Sequence, residues 1–212
     1  MSPDDNLEIF EQIRTFLPKY LTPTEKDDLF EELRRFPDNA SFYFDREDLR
    51  SELLQGDGWR GFVAIDFLTG NRKTISGVIL SNSCDIDSGN VKAFPVNILF
   101  APIIKLDKYV KKLQAEGKRD DQIQGLLATI RKQRVTNIFY LPPYPAVTEE
   151  GFILMDDIHA HPLSDFMTTD RQPLFKLNQF FFYFFIIKIS IHFCRFQEGV
   201  HRFPAAIQSR DF

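Results

Sequence analysis

Over the first fifty or so residues the apolar positions recur at helical spacing, and from Arg60 they begin to alternate. Leu7, Phe10, Ile13 and Leu17 fall on one helical face, and Pro18 ends the pattern. Thr22, Pro23 and Glu25 then form a helix start: Thr22 caps, proline opens the first turn, and Glu25 reaches back to the cap amide. Leu29, Leu33 and Phe36 supply the buried face of that helix. A third, short helix is predicted over residues 45–55, capped by Asp45 and stopped by "GDG".

In "RGFVAIDFLTGN" Phe62, Ala64 and Asp66 lie on one side, Val63, Ile65 and Phe67 on the other, and a Gly-Asn turn comes next, the pattern of a strand and loop. "TISGVILSNS", "FPVNILFAPII", "VTNIFYLP" and "EGFILMDDIHAH" are four more apolar runs. Five short strands separated by turn residues predict a small barrel and an α+β fold class. A charged helical insertion at about 106–134 separates the third and fourth runs. Asp107 caps a helix bearing Val110 and Leu113, and after Gly117 a second carries Ile123, Leu126, Leu127 and Ile130, ending in cations that suit a helix C-terminus. A last long helix is predicted from near Pro173, carrying the run "FFFYFFII". No internal repeat interrupts the chain, so one compact unit is expected: an N-terminal helical extension (1–56), the barrel with its insertion (57–168), and a C-terminal helix packed on the barrel (169–212).

Composition narrows the classes. The 212 residues, 43% hydrophobic and 26% charged, are those of an ordinary globular chain. A net charge of −4 argues against a surface that is a nucleic-acid footprint throughout, so RNA binding has to be argued from a local patch. Two cysteines, Cys84 and Cys194, are too few for a disulfide framework, and the acidic start "MSPDDNLEIFEQ" is unlike a signal peptide, so the expected location is cytoplasmic. The apolar stretch 180–187 is far short of the roughly 20 residues a membrane span requires, and Lys188 and His192 interrupt the residues beyond it. A buried helix is expected, with an interfacial helix as the alternative and no membrane span. Its apolar positions run nearly all the way round, so either the N-terminal helices or a second molecule must cover the part that the barrel leaves open. A protein partner or homo-oligomer is therefore expected.

Three groups of residues could carry chemistry. In "VILSNSCDIDSG" an apolar strand runs into Ser81, Asn82, Ser83, Cys84 and Asp85, with Asp87 and Gly89 close behind. A thiol flanked by acids could ligate a metal, but adjacent carboxylates weaken it as a nucleophile; the plainer account is a strand exit with Asx turns at Asp85 and Asp87 and a positive φ at Gly89. "DDIHAHP" puts His159 and His161 on one strand face, a spacing compatible with a divalent metal, or simply a strand ending in a polar turn. Cys194, Glu198 and His201 share a helical face, which Arg195, Glu198 and Arg202 could equally use as an exposed ion ladder. No cofactor is expected.

"RGFVAIDFLTGNRKTISGVILSNS", then "VNILFAPII" and "GFILMDDIHAHPLSDF", resembles the MazF/PemK toxins, also called CcdB/PemK-like. Their sequences run as a "GDIV-VDF-TG" strand, a "RPVLVLSN" strand, a "VVVAPIT" strand and a late "VLLDQIRTVD" strand. The match covers roughly residues 59–166. It implies a small SH3-like barrel that commonly dimerises and, in active members, cleaves single-stranded RNA without a metal. The resemblance places Ser76 with Gly77 where the family has the Arg-Pro pair, and Ile104 where it has the serine or threonine associated with cleavage. Neither Gly77 nor Ile104 can accept a proton from a 2′-hydroxyl or stabilise a phosphorane. "LLQGD…SNSCDI…HFCRF" also resembles a group of uncharacterised bacterial proteins encoded near phage-defence genes.

The leading expectation is thus a non-catalytic PemK-like binding or assembly module of a bacterial toxin–antitoxin or phage-defence system. Arg72, Lys73, Ser81, Asn82 and Asp85 are its ligand- or partner-contacting candidates. One alternative is an endoribonuclease with relocated groups, Arg72, Lys73 and Ser81 replacing the missing ones. Another is a metal-dependent hydrolase using His159, His161 and Asp85.

Overall fold

A computed structural model describes residues 42–193, apart from 67, 88, 91 and 145–147, together with 22–24, 26–28 and 31. The carbonyl of Thr22 accepts the amide of Lys26 at 3.1 Å, so a helix does open there. The expected helix faces at Leu7–Leu17 and at Leu29, Leu33 and Phe36, and the Cys194, Glu198, His201 grouping, lie outside the described residues.

Among the described residues eight antiparallel strands, where the apolar runs suggested five, build one curled sheet that closes about half a barrel in an α+β chain. They are β1 (Tyr43–Phe44), β2 (Gly58–Ile65), β3 (Arg72–Ile79), β4 (Asn97–Lys105), β5 (Ile138–Leu141), β6 (Gly151–Leu154), β7 (His159–Pro162) and β8 (Gln172–Leu177). Their order across the sheet is β1-β8-β2-β3-β4-β6-β5, with β7 also paired to β4. Within the described residues 42–193 the α-helices are α1 (Ser83–Ile86), α2 (Leu106–Ala115), α3 (Asp120–Arg131), α4 (Leu163–Thr168) and α5 (Gln179–Phe193).

β4 organises the interior because its alternate residues serve different cores. Ile98 and Phe100 face a cluster with Trp59, Phe62, Ile79, Ile86 and Phe166. Farther along the same face, Ile104 packs with the insertion helices through Leu106, Leu113, Ile123, Leu127 and Ile130. The intervening Ala101 and Ile103 face α5, whose Phe181 and Phe185 join Val78, Phe139 and Ile153. Phe42 stacks on Phe181 at 3.9 Å. Each fully buried Phe or Ile contributes about 1.5–3 kcal/mol.

Four local expectations are corrected. Residues 45–55 form only a 3-10 turn, Glu47–Leu49, because Asp45 grips the Arg50 guanidinium at 2.6 and 2.9 Å instead of capping an amide. Asp107 likewise pairs with Lys111 at 2.8 Å; Lys105 holds the cap position of α2. "EGFILMDDIHAH" is not one strand: a turn at Met155–Asp156 divides it into β6 and β7, which pair with different parts of β4. Pro173 lies inside β8, opposite Trp59, and the helix expected there begins at Gln179, where Asn178 Oδ1 accepts the Phe181 amide at 2.9 Å. Among the described residues no helix is long and apolar enough to cross a membrane.

Candidate functional site

The end of β3 is built by side chains that bond to backbone. Ser81 Oγ accepts the Leu99 amide at 2.8 Å, joining the exit of β3 to β4. Asn82 Oδ1 accepts the Cys84 amide at 2.9 Å and so caps α1, the short helix. Ser83 Oγ accepts the Gln55 amide at 2.9 Å, and Gln55 Nε2 donates to the Leu80 carbonyl at 2.7 Å. The loop before β2 is thereby laced to β3, helped by the Gly56 amide donating to Ile79 O and the Ile79 amide donating to Asp57 O, both at 2.9 Å. Gly56 adopts φ of +87°, where a side chain would be strained.

Beside this junction lies a cleft of about 280 Å³. Its floor is Leu53, Leu54, Ile86, Leu163 and Met167, and its polar rim is Ser51, Glu52, Ser83, Cys84 and Asp87. The Cys84 thiol is free and exposed. The carbonyl of Cys84 receives Asn90 Nδ2 at 2.8 Å and Lys92 Nζ at 2.7 Å, and Asp87 Oδ1 accepts the Gly89 amide at 2.8 Å, an Asx turn. The expected turn at Asp85 is instead the α1 helix, whose cap is Asn82.

The structure separates the expected contact residues. Arg72 and Lys73 open β3, across from Ile65 and Ala64, whereas Ser81, Asn82 and Asp85 lie past its other end. Seven steps of a strand at about 3.3 Å set Arg72 about 23 Å from Ile79. The cation nearest to Ser76 across the ladder is Arg60, its direct partner on β2, which sequence inspection passed over because β2 and β3 had no assigned register.

Gly77 and Ile104 are packing residues, whereas Ser76 is half-buried and pairs with Arg60 across the ladder. Ile104 pairs with Phe152 and packs against the insertion cluster. Gly77 is buried, and a Cβ placed there would stand 2.6 Å from the Phe100 ring and 3.1 Å from the Ala101 carbonyl. Gly77→Ala should therefore cost about 1–3 kcal/mol through overpacking, read as a lower urea midpoint with an unchanged m-value. An unchanged midpoint would show that β3 and β4 can part without loss.

His159 and His161 do share one face of β7, but each has a local role. His159 Nε2 lies 3.0 Å from Asp157 Oδ1, and its ring stacks on Phe100 at 5.4 Å. His161 is buried against Phe62 and Phe166, its Nδ1 has no hydrogen-bond partner, and burial holds its pKa below the ordinary value against the opposing pull of Asp165. Among the described residues no three His, Cys, Asp or Glu side chains are placed to hold a metal ion, so His159, His161 and Asp85 do not form a ligand set.

Two buried charges complete the surroundings. Asp57 and Lys176 form an ion pair behind the cleft, 3% and 5% exposed, with Lys176 Nζ also donating to the cleft residue Glu52 through its carbonyl at 2.9 Å. Burial pushes the Asp57 carboxyl up to about 6, with Lys176 pulling the other way. Lys188, inside α5, donates to the carbonyls of Gln133, Val135 and Ile138 and to Gln133 Oε1. Comparison with protein-family profiles, with curated proteins and with solved structures finds no match to this chain.

Proposed function

We propose that the chain is a binding or assembly module on a PemK-like, SH3-like barrel, serving a bacterial toxin–antitoxin or phage-defence system, and that it receives a protein partner in the cleft at the β3 exit. One observation carries this reading. The side-chain oxygens at the β3 exit, Ser81 Oγ, Asn82 Oδ1 and Ser83 Oγ, each accept a backbone amide, and Ser83 also lines the cleft. An apolar floor with a few fixed polar groups suits recognition, which needs no tuned base. The packing at Gly77 and Ile104 supports the same reading. The endoribonuclease alternative finds a cation in Arg60, opposite Ser76, since Arg72 and Lys73 stand at the other end of β3 from Ser81.

Two measurements test the proposal together. Mixed-sequence single-stranded RNA incubated with the purified protein should remain intact, with and without Mg²⁺; sequence-selective cleavage that vanishes in Arg60→Ala would establish the nuclease instead. A photo-crosslinker attached to the exposed Cys84, in a Cys194→Ser background, should capture one protein species in cells. Met167→Glu, which places a charge on the cleft floor, should abolish that capture without lowering the melting temperature by more than a few degrees. Capture that survives Met167→Glu places the partner elsewhere and rejects the cleft.

A further inference from the structure

The helical insertion carries a charge opposite to that of the rest of the chain. Between residues 105 and 134 nine lysines and arginines face four acids, a net +5 within a chain of net −4, which leaves −9 on everything else. Eight of those nine cations are exposed, Arg131 alone being half-buried. Five are matched by carboxylates: Lys105 with Glu149, Lys111 with Asp107, Lys112 with Glu116, Arg119 with Asp121, and Arg131 with Glu150. Lys108, Lys118, Lys132 and Arg134 form no ion pair among the described residues.

Ion pairing within the fold uses none of these four. The hairpin is held by its inner face, where Leu106, Leu113, Ile123, Leu127 and Ile130 pack on Tyr140 and Phe152. Lys132 and Arg134 come after α3 and suit its dipole, and Lys118 closes the end of α2, its amide bonding the Leu113 carbonyl at 3.0 Å, but Lys108 is in the first turn of α2, where the dipole favours acids. The two helices run antiparallel, because Arg131 near the end of α3 and the Leu106 amide at the start of α2 both bond to Glu150. Lys108, Lys132 and Arg134 therefore gather at the base of the hairpin and Lys118 stands at its tip, about 18 Å along the 12 residues of α3.

We infer that the outer face of the α2–α3 hairpin binds a nucleic-acid backbone, without reading its sequence, as a surface separate from the proposed partner cleft. A cluster of three unpaired cations at the base and a fourth at the tip can meet separate phosphates of one strand, and the acid-rich remainder of the molecule turns the hairpin toward a polyanion as the two approach. Exposed lysine and arginine contacts to phosphate give micromolar binding that salt weakens steeply.

The test is fluorescence anisotropy with a labelled mixed-sequence 20-nucleotide RNA, using the full chain. Binding should be micromolar at 50 mM salt, and log K should fall with log[salt] with a slope of about −3, the value for four phosphate contacts on a single strand. Lys108→Glu/Lys132→Glu/Arg134→Glu should weaken binding at least tenfold, flatten the slope and leave the melting temperature unchanged. Should that variant misfold, the three glutamine replacements keep the comparison, with an expected loss of three- to tenfold. Arg72→Glu/Lys73→Glu, on the β2–β3 hairpin, should leave binding as it was. Loss of binding in this second variant but not the first, absence of salt dependence, or binding to phosphatidylserine vesicles in place of RNA would each overturn the inference. None of these readouts involves cleavage or Cys84 crosslinking, so failure here is distinguishable from failure of the cleft proposal.

Discussion

Lys188→Met is expected to lower stability by about 3–4 kcal/mol and the melting temperature by about 10 °C. Methionine matches lysine in length and is flexible enough to fill the vacated space, so the substitution removes hydrogen bonds without opening a cavity. The lost bonds are those from Nζ to the carbonyls of Gln133, Val135 and Ile138. They tie α5 to the end of α3 and to β5. Gln133, at φ of +57°, is itself engaged, its side chain bonding both the amide and the carbonyl of Tyr140 at 2.9 and 2.8 Å. The Val135 carbonyl keeps the Ile138 amide at 3.3 Å, but the Gln133 and Ile138 carbonyls lose the lysine donor beneath an aromatic helix, at about 1–3 kcal/mol each where water cannot reach them, partly offset by the desolvation no longer imposed on an ammonium. A loss under about 1 kcal/mol would mean that water enters and that α5 is held by its rings alone.

The same lysine gives a signed pH dependence. Burial pushes Lys188 down to about 7 from an ordinary value of 10.5. Below about pH 7 it is protonated both folded and unfolded, and the cost of burying the charge is fully present. Between about 7 and 10 the unfolded chain holds a proton that the folded chain has released, so stability should rise with pH across that window. Above it, Tyr43 and Tyr140, both raised by burial, reverse the trend, because the unfolded chain ionises first. Urea midpoints at pH 6 to 10 should climb in the wild type and stay level in Lys188→Met.

Alternation and helical spacing made much of this architecture legible. The strands around Val63, Ile79, Phe100, Phe139 and Ile153, and the two insertion helices, lie where the apolar period placed them. The misleading signals were polar groups with two competing partners. Asp45 looks like a helix cap until Arg50 claims it, and Asp107 does the same with Lys111. Pro173 is a plausible first helical residue, yet β8 uses it opposite Trp59, a pairing that depends on a segment more than a hundred residues away. The cleft was half legible. Ser83, Cys84 and Asp87 were in view, but its other rim comes from Ser51 and Glu52 and most of its floor from Leu53, Leu54, Leu163 and Met167, which only the fold brings together. Lys188 was read only as a break in an apolar run, and Asp57 only as part of a turn. A charged residue inside an otherwise apolar helix was the available sign that something must accept from it.

Asp57→Ala should be as damaging as the loss of Lys188, at about 3–5 kcal/mol, because it strands the buried Lys176 ammonium. Asp57 Oδ2 accepts from Lys176 Nζ and from the Leu54 amide, the latter at 3.1 Å, and the Trp59 side chain also bonds to this carboxylate. Lys176 would keep only the Glu52 carbonyl. Burying the pair is itself costly, since desolvation, the largest influence on Asp57, raises its pKa in spite of the adjacent cation. Asp57→Asn/Lys176→Met, which keeps an acceptor for Leu54 and removes both charges, should therefore recover most of the loss; additive damage would mean that the charge pair itself stabilises the fold. The pH behaviour has the opposite sign to that of Lys188. With its carboxyl at about 6, folded Asp57 keeps a proton that the unfolded chain releases near 4, so its contribution is present at acid pH and is lost as pH rises toward 6. Asp57→Asn should remove that decline. Because Lys176 also holds the Glu52 carbonyl on the cleft wall, the single variant should loosen residues 51–54 before the sheet gives way, seen as faster amide exchange at Leu53 and Leu54 than at Ile79. Equal acceleration at all three would make the ion pair a general anchor of the sheet, with no particular bearing on the cleft.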